Sequence, residues 1–153
     1  MKKTSTILFL FGIIFLMAFS CKKDNVDNKN LQIKDYNCSD CKSSSNRFEV
    51  VEYLEYSTVE ENFLSVKHIN ALFNCSPGKI TASIKIEGSN LIITEDEESS
   101  IADCVCRYDI NYKIGPLKYG QYQFILKKGE NLTYLNFPIT FNSSTNSSYT
   151  YEN

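Results

Sequence analysis

Six cysteines and a single histidine are the side chains of this 153-residue sequence best suited to nucleophilic, redox or metal chemistry. Cys38-Ser39-Asp40-Cys41 has the spacing of a dithiol redox pair. That chemistry needs a thiol of depressed pKa, usually at a helix amino terminus, and no βαβ pattern surrounds these residues. Cys38 and Cys41 with Cys104 and Cys106 form an alternative tetrahedral metal set, to which His68 could add a ligand. Two cysteines one residue apart on a strand face are a less usual knuckle than Cys-x-x-Cys, so no metal is expected. His68 alternates with Val66 and Asn70, and the sequence holds no Gly-x-Ser-x-Gly elbow, glycine-rich phosphate loop or His-Glu-x-x-His helix to partner it. The expectation is a structural histidine. Glu95-Asp96-Glu97-Glu98 reads as a solvated acidic loop, because carboxylates that bind Ca²⁺ are interleaved with turn residues that make them converge. No catalytic residue and no cofactor is assigned.

Composition narrows the classes further. Sixteen Lys+Arg against eighteen Asp+Glu give a net charge of -2, without the basic surplus that phosphate neutralisation requires, so no nucleic-acid partner is expected. With 42% hydrophobic and 22% charged residues, the chain describes one globular domain behind a targeting segment. Residues 1–20 are that segment. Lys2 and Lys3 precede an apolar run over residues 7–19, which is short of the ~20 residues that span a bilayer and suits a secretory signal peptide. The run ends in Ala18-Phe19-Ser20-Cys21, followed by Lys22-Lys23-Asp24. This resembles the lipobox of bacterial lipoproteins, in which a peptidase cuts before the Cys and its thiol carries a diacylglycerol. Ala18 and Phe19 stand where that family has Leu and a small residue, and Ala18-x-Ser20 also fits cleavage to a soluble product. The resemblance implies lipidation at Cys21, a membrane partner held through acyl chains, and an outer-membrane lipoprotein facing the periplasm or the cell surface. Without Lys2 and Lys3 the net charge moves from -2 to -4, and no polybasic patch is left to hold an anionic membrane by itself.

The elements that must position these residues follow from periodicity. Residues 21–46 are rich in Lys, Asp, Asn and Ser and read as a flexible tether, and residues 143–153 as a disordered tail. Between them, residues 47–142 alternate with period two. Cys104, Cys106, Tyr108, Ile110, Tyr112 and Ile114 fall on one face of a half-buried strand. Further strands are expected at 48–56, 64–74, 80–86, 91–93, 120–126 and 132–141, with a hairpin turn at Gly88-Ser89-Asn90. Seven strands without a helix predict an all-β, seven-stranded antiparallel β-sandwich. The segment 117–124 resembles the tyrosine corner of immunoglobulin-like and fibronectin III-like sandwiches. That resemblance implies that the Tyr122 hydroxyl bonds back across the preceding corner.

An exported domain keeps disulfides. The expected bridges are Cys75 with Cys104 or Cys106, and Cys38 with Cys41, leaving one cysteine as a buried thiol or an intermolecular link. Ten Tyr supply contact surface for an unknown protein or glycan partner, although sugar platforms more often use Trp, which is absent. The sequence thus predicts a lipid-anchored, non-catalytic binding or accessory module of the cell envelope. The alternatives are a periplasmic thiol redox or metal-handling protein using Cys38, Cys41, Cys75, Cys104 and Cys106, and an inhibitor or adhesin built on sandwich loops.

Overall fold

The computed structural model describes residues 30–42, 50–98 and 103–151. The signal peptide and Cys21 lie outside the described residues. Alternating patterns generate nine strands among them: β1 (Gln32–Cys38), β2 (Tyr53–Val59), β3 (Phe63–Asn74), β4 (Ile80–Glu87), β5 (Asn90–Glu97), β6 (Val105–Gly115), β7 (Gly120–Lys128), β8 (Leu132–Phe141) and β9 (Asn146–Thr150). They form two sheets, β1-β6-β3-β2-β9 and β4-β5-β7-β8. The expected β-sandwich is present, with nine strands in place of seven. Its pairs are antiparallel except for the parallel β5–β7 pair, where the chain leaves the β4–β5 hairpin, crosses to β6 and returns.

The two additional strands correct the tether and the tail. β1 lies inside the segment read as tether, and β9 inside the segment read as disordered tail. Both are edges of the five-stranded sheet, so each buries few side chains and its sequence stays polar. In β1 the alternation is also broken by a bulge, with Asp35 at φ 50° between the paired residues Lys34 and Asn37.

The core lies between the sheets. Leu54, Leu64, Val66, Ile110 and Ile114 from one sheet meet Leu91, Ile93, Phe124, Leu126 and Phe141 from the other, all fully buried. The predicted inward face of β6 is observed from Cys106 through Tyr108, Ile110 and Tyr112 to Ile114, all buried, whereas Cys104, expected on the same face, precedes the strand and is exposed. The β4–β5 hairpin turns on Gly88 and Ser89 between the paired Glu87 and Asn90, and Gly88 takes the left-handed conformation (φ 63°) that a two-residue hairpin needs.

A second bulge governs the site. The β3–β6 register shifts between His68 and Ala71, and Asn70 adopts φ 62°. Consequently Leu64, Val66 and His68 face inward, then Ala71 and Phe73, while Asn70 leaves the inward phase that simple alternation gave it. Its amide N–H donates to Asp109 Oδ1 at 3.1 Å, its Nδ2 donates to the Val51 carbonyl at 2.8 Å, and Lys42 Nζ donates to its Oδ1 at 3.0 Å. These bonds fix the bulge from outside and hold His68 pointing into the core.

Two disulfides join the described cysteines. Cys75 pairs with Cys104, one of the two expected partners, across a Cα–Cα distance of 5.5 Å. The expected Cys38–Cys41 bridge is not formed: Cys41 instead bonds Cys106, and Cys38 is free. The reason is the strand β1. Cys38 is paired in register with Ile110 inside the sheet, whereas Cys41 lies beyond the strand end, beside the Lys42–Arg107 bridge that brings it to Cys106.

Candidate functional site

Three buried ionisable side chains meet between the sheets. His68 on β3 and Glu95 on β5 are both 0% exposed, and Glu52, just before β2, is 7% exposed. His68 Nδ1 lies 2.7 Å from Glu95 Oε2, and Nε2 lies 2.8 Å from Glu52 Oε1. Two carboxylates accept at opposite ends of one ring, and only the imidazolium has a donor for each. Burial alone would lower the His68 pKa. The Glu95 charge and the two hydrogen bonds outweigh it and raise the value to about 9.

The remaining carboxylate oxygens are also satisfied. Tyr112 Oη donates to Glu95 Oε1 at 2.9 Å, and Tyr134 Oη donates to Glu52 Oε2 at 2.7 Å. Lys128 Nζ, at the end of β7, reaches Glu52 Oε1 at 3.5 Å and donates to the Leu72 carbonyl at 3.1 Å. Burial tends to raise the Glu52 pKa, but hydrogen bonds from His68 and Tyr134 and the Lys128 charge hold it below the usual carboxylate range. Burial pulls the Lys128 ammonium below its ordinary value despite the nearby glutamates. Two anions face two cations, and no buried side-chain nitrogen or oxygen among the described residues lacks a partner. Such a closed set bolts one sheet to the other. Its carboxylates stand on opposite sides of the imidazole, so they do not converge on one ion or one substrate.

The expectation of a structural His68 agrees with this geometry, whereas the reading of residues 95–98 as a solvated loop does not. Glu95, Asp96 and Glu97 belong to β5, and Glu95 is inward because it shares the phase of Leu91 and Ile93. That phase was the available signal. Lys128 shares the phase of Phe124 and Leu126 in the same way, and Glu52 that of Leu54.

The network continues outward through Tyr134. Lys128 Nζ lies 3.8 Å from the centroid of the Tyr134 ring, and Tyr151 stacks on that ring at 4.8 Å with planes 13° apart. Two residues earlier, on β9, Tyr149 stacks on Phe137 of β8 at 4.0 Å and 7°, with Phe124 on the same residue at 5.1 Å. These rings close the side of the sandwich between the free edges of β8 and β9. Of them, Tyr134, Tyr149 and Tyr151 line a groove of ≈ 570 Å³ together with Leu135, Asn136, Ser148 and Thr150.

Other sequence-derived sites lie elsewhere. Cys38 is half-buried on the opposite edge, and burial together with the Glu95 charge pushes its thiol pKa up, which disfavours the thiolate that redox chemistry requires. Cys41, Cys75, Cys104 and Cys106 are in disulfides, so the four-cysteine metal set is not assembled. Tyr122 is buried at the start of β7 and its Oη donates to the Lys118 carbonyl at 2.8 Å. Replacing it by phenylalanine removes that bond alone, with an expected loss of about 1 kcal/mol measurable by urea unfolding. An unchanged midpoint would show that the bond contributes nothing net.

No family model matches this chain, and no curated protein or solved structure matches it either.

Proposed function

We propose that the chain is an exported lipoprotein, anchored to the membrane through acylated Cys21, that serves as a non-catalytic binding or accessory module of the cell envelope. The observation that carries the non-catalytic part is the sealing of the His68 network: the one histidine of the sequence is 0% exposed and both of its nitrogens are engaged. A general base must reach the proton it abstracts, and this one is shut between two sheets. Two disulfides among the described residues are in keeping with an oxidising, exported compartment.

Such a module would be tethered at one end of the sandwich. Its described chain enters the sheet at Gln32, opposite Gly115, at the end that carries the β2–β3 turn and the loop 116–119. The disulfides and Lys128 lie at the other end. An anchor at Cys21 would join the sandwich on the side away from the disulfides.

Intact-mass analysis and a non-reducing peptide map of the protein from its native membrane fraction test this reading. The expected amino-terminal peptide begins at diacylated Cys21, and Cys38 is the one titratable thiol. An unmodified Cys21 in a soluble chain overturns the anchor. Stoichiometric bound metal, or a reactive dithiol in place of the Cys41–Cys106 bridge, overturns the non-catalytic reading and favours the redox or metal-handling alternative.

A further inference from the structure

The groove between the free edges of β8 and β9 carries chemistry that the buried network does not. Tyr149 lies on β9 and Tyr151 just past its end, where the Tyr151 N–H still bonds the Glu52 carbonyl, so their rings follow one another at about 7 Å on the same side. Each has one face pressed on a ring of β8, Tyr149 on Phe137 and Tyr151 on Tyr134. Both tyrosines are partly buried against the core and line the groove with the surface that remains. Backing by aromatic rings, with Tyr134 itself held by Glu52 and Lys128, fixes this surface before any ligand arrives. Preorganisation of that kind spares a ligand the cost of ordering side chains.

The lining selects the ligand. Every residue of the groove is uncharged: three Tyr, Leu135, Asn136, Ser148 and Thr150. An anion or a cation would leave its hydration for no compensating charge. The volume of ≈ 570 Å³ lies within the ~300–1,000 Å³ of small-ligand sites. Hydrogen-bond donors are present along one wall. Tyr151 N–H donates to the Glu52 carbonyl, so by strand alternation the N–H groups of Ser148 and Thr150 point away from β2 and toward the groove. The opposite wall is less suited to an added peptide strand, because Pro138 interrupts β8 without a backbone donor. Flat apolar faces flanked by neutral donors match a chain of pyranose rings, whose C–H faces lie on aromatic rings while equatorial hydroxyls reach sideways.

We propose that the groove between β8 and β9 binds a neutral glycan chain, with successive sugar rings laid on Tyr149 and Tyr151. This proposal rests on the reading of the chain as a binding module and supplies its ligand class.

Titration calorimetry on the full chain in detergent tests it, with cellohexaose, maltohexaose and chitohexaose as probes beside oligogalacturonate and an alternating Val-Thr decapeptide. Saturable binding of at least one neutral hexasaccharide is expected, weakened tenfold or more by Tyr149→Ala and by Tyr151→Ala. Tyr149→Phe, which keeps the ring, should bind within about threefold of the original. Should the alanine variants fail to fold, acetylation of tyrosines in the unmutated chain decides the matter, since the bound hexasaccharide should protect Tyr149 and Tyr151 over the other tyrosines. Absence of binding to all three neutral probes overturns the proposal, as does protection mapped elsewhere or preferential binding of oligogalacturonate or of the decapeptide. The anchored-module reading fails separately, through the mass of the Cys21 peptide.

Discussion

Replacing His68 by alanine lowers the stability of the fold by about 3–5 kcal/mol, the cost of leaving a buried partner charge uncompensated. The variant strips the donor from two buried carboxylates at once, Glu52 and Glu95, and Tyr112 and Tyr134 are too few to replace it. Since small domains are stable by only about 5–15 kcal/mol, His68→Ala lies near the threshold of folding. The triple variant Glu52→Leu, His68→Leu, Glu95→Leu separates charge from packing. It removes both signs together, and a well-packed apolar replacement of a buried ion set is near neutral or stabilising. Recovery of most of the lost stability in the triple variant is the expected result of chemical denaturation, and a triple variant as unstable as the single one would show that shape rather than charge governs this site.

The same network dictates a pH profile. His68 is raised in the folded chain from 6.5 to about 9, so its contribution is complete below about pH 6.5 and is lost as the pH climbs through about 9. At ~1.4 kcal/mol per unit, the fall is about 3 kcal/mol. Glu52, held below the ordinary carboxylate range, acts at the other limb: its contribution is present above about pH 4.5 and fades as the pH drops through its folded value. Stability should therefore be greatest between about pH 5 and 6.5 and decline toward pH 9.5. Urea midpoints at half-unit intervals measure the curve, and a flat line from pH 6 to 9.5 would rule out a charged His68.

The fold was legible wherever one face of a strand is buried and the other is wet. β6 shows this best, because five inward residues alternate with Arg107, Asp109, Asn111 and Lys113 without interruption. The edges were not legible. β9 presents only Tyr149 inward, with Asn146, Ser147, Ser148 and Thr150 around it, and polar composition of that kind suits a frayed tail as well as an edge strand. Its structure comes from pairing with β2, a contact more than eighty residues away in the chain, which no local pattern encodes. The exposed side of β1 misled in the same manner, and the bulge at Asp35 removed the remaining period.

For the site, the cysteines were legible in part and the ion network hardly at all. Cys75 directly follows β3 and Cys104 directly precedes β6, so their pairing follows from the antiparallel closeness of these two strands. Sequence proximity favours Cys38 as the partner of Cys41, and proximity fails when one of the two is locked inside a strand. Glu95 was hidden by its neighbours. A run of four acids draws attention to bulk charge, whereas the strand phase assigns each acid separately, Glu95 to the core and Asp96 to solvent. The long-range meeting of Glu52, His68 and Glu95 needs the register of two sheets, which the local alternation around each residue does not carry.

Removing the Cys41–Cys106 bridge by the double substitution Cys41→Ala, Cys106→Ala should lower stability by about 4 kcal/mol, the larger loss of the two disulfides. The bridge closes 65 residues of chain, against 29 for Cys75–Cys104, whose removal should cost about 3.5 kcal/mol. Substituting both members of a pair avoids leaving a thiol that would exchange with Cys38. For a domain of this size, 4 kcal/mol corresponds to a fall in Tm on the order of 15 °C, readable by calorimetry. The effect acts on the unfolded chain, so β1 itself should stay docked. Five register pairs tie it to β6, Tyr36 Oη donates to the Ile80 carbonyl at 2.7 Å, and the Lys34 ammonium lies 4.4 Å from the Phe63 ring. Hydrogen exchange at a temperature well below the new Tm distinguishes the two ways of losing stability. Retained protection of the β1 amides places the disulfide's contribution in the unfolded ensemble, and selective loss of that protection would mean that β1 is held in the sheet by its covalent staple rather than by its own pairing.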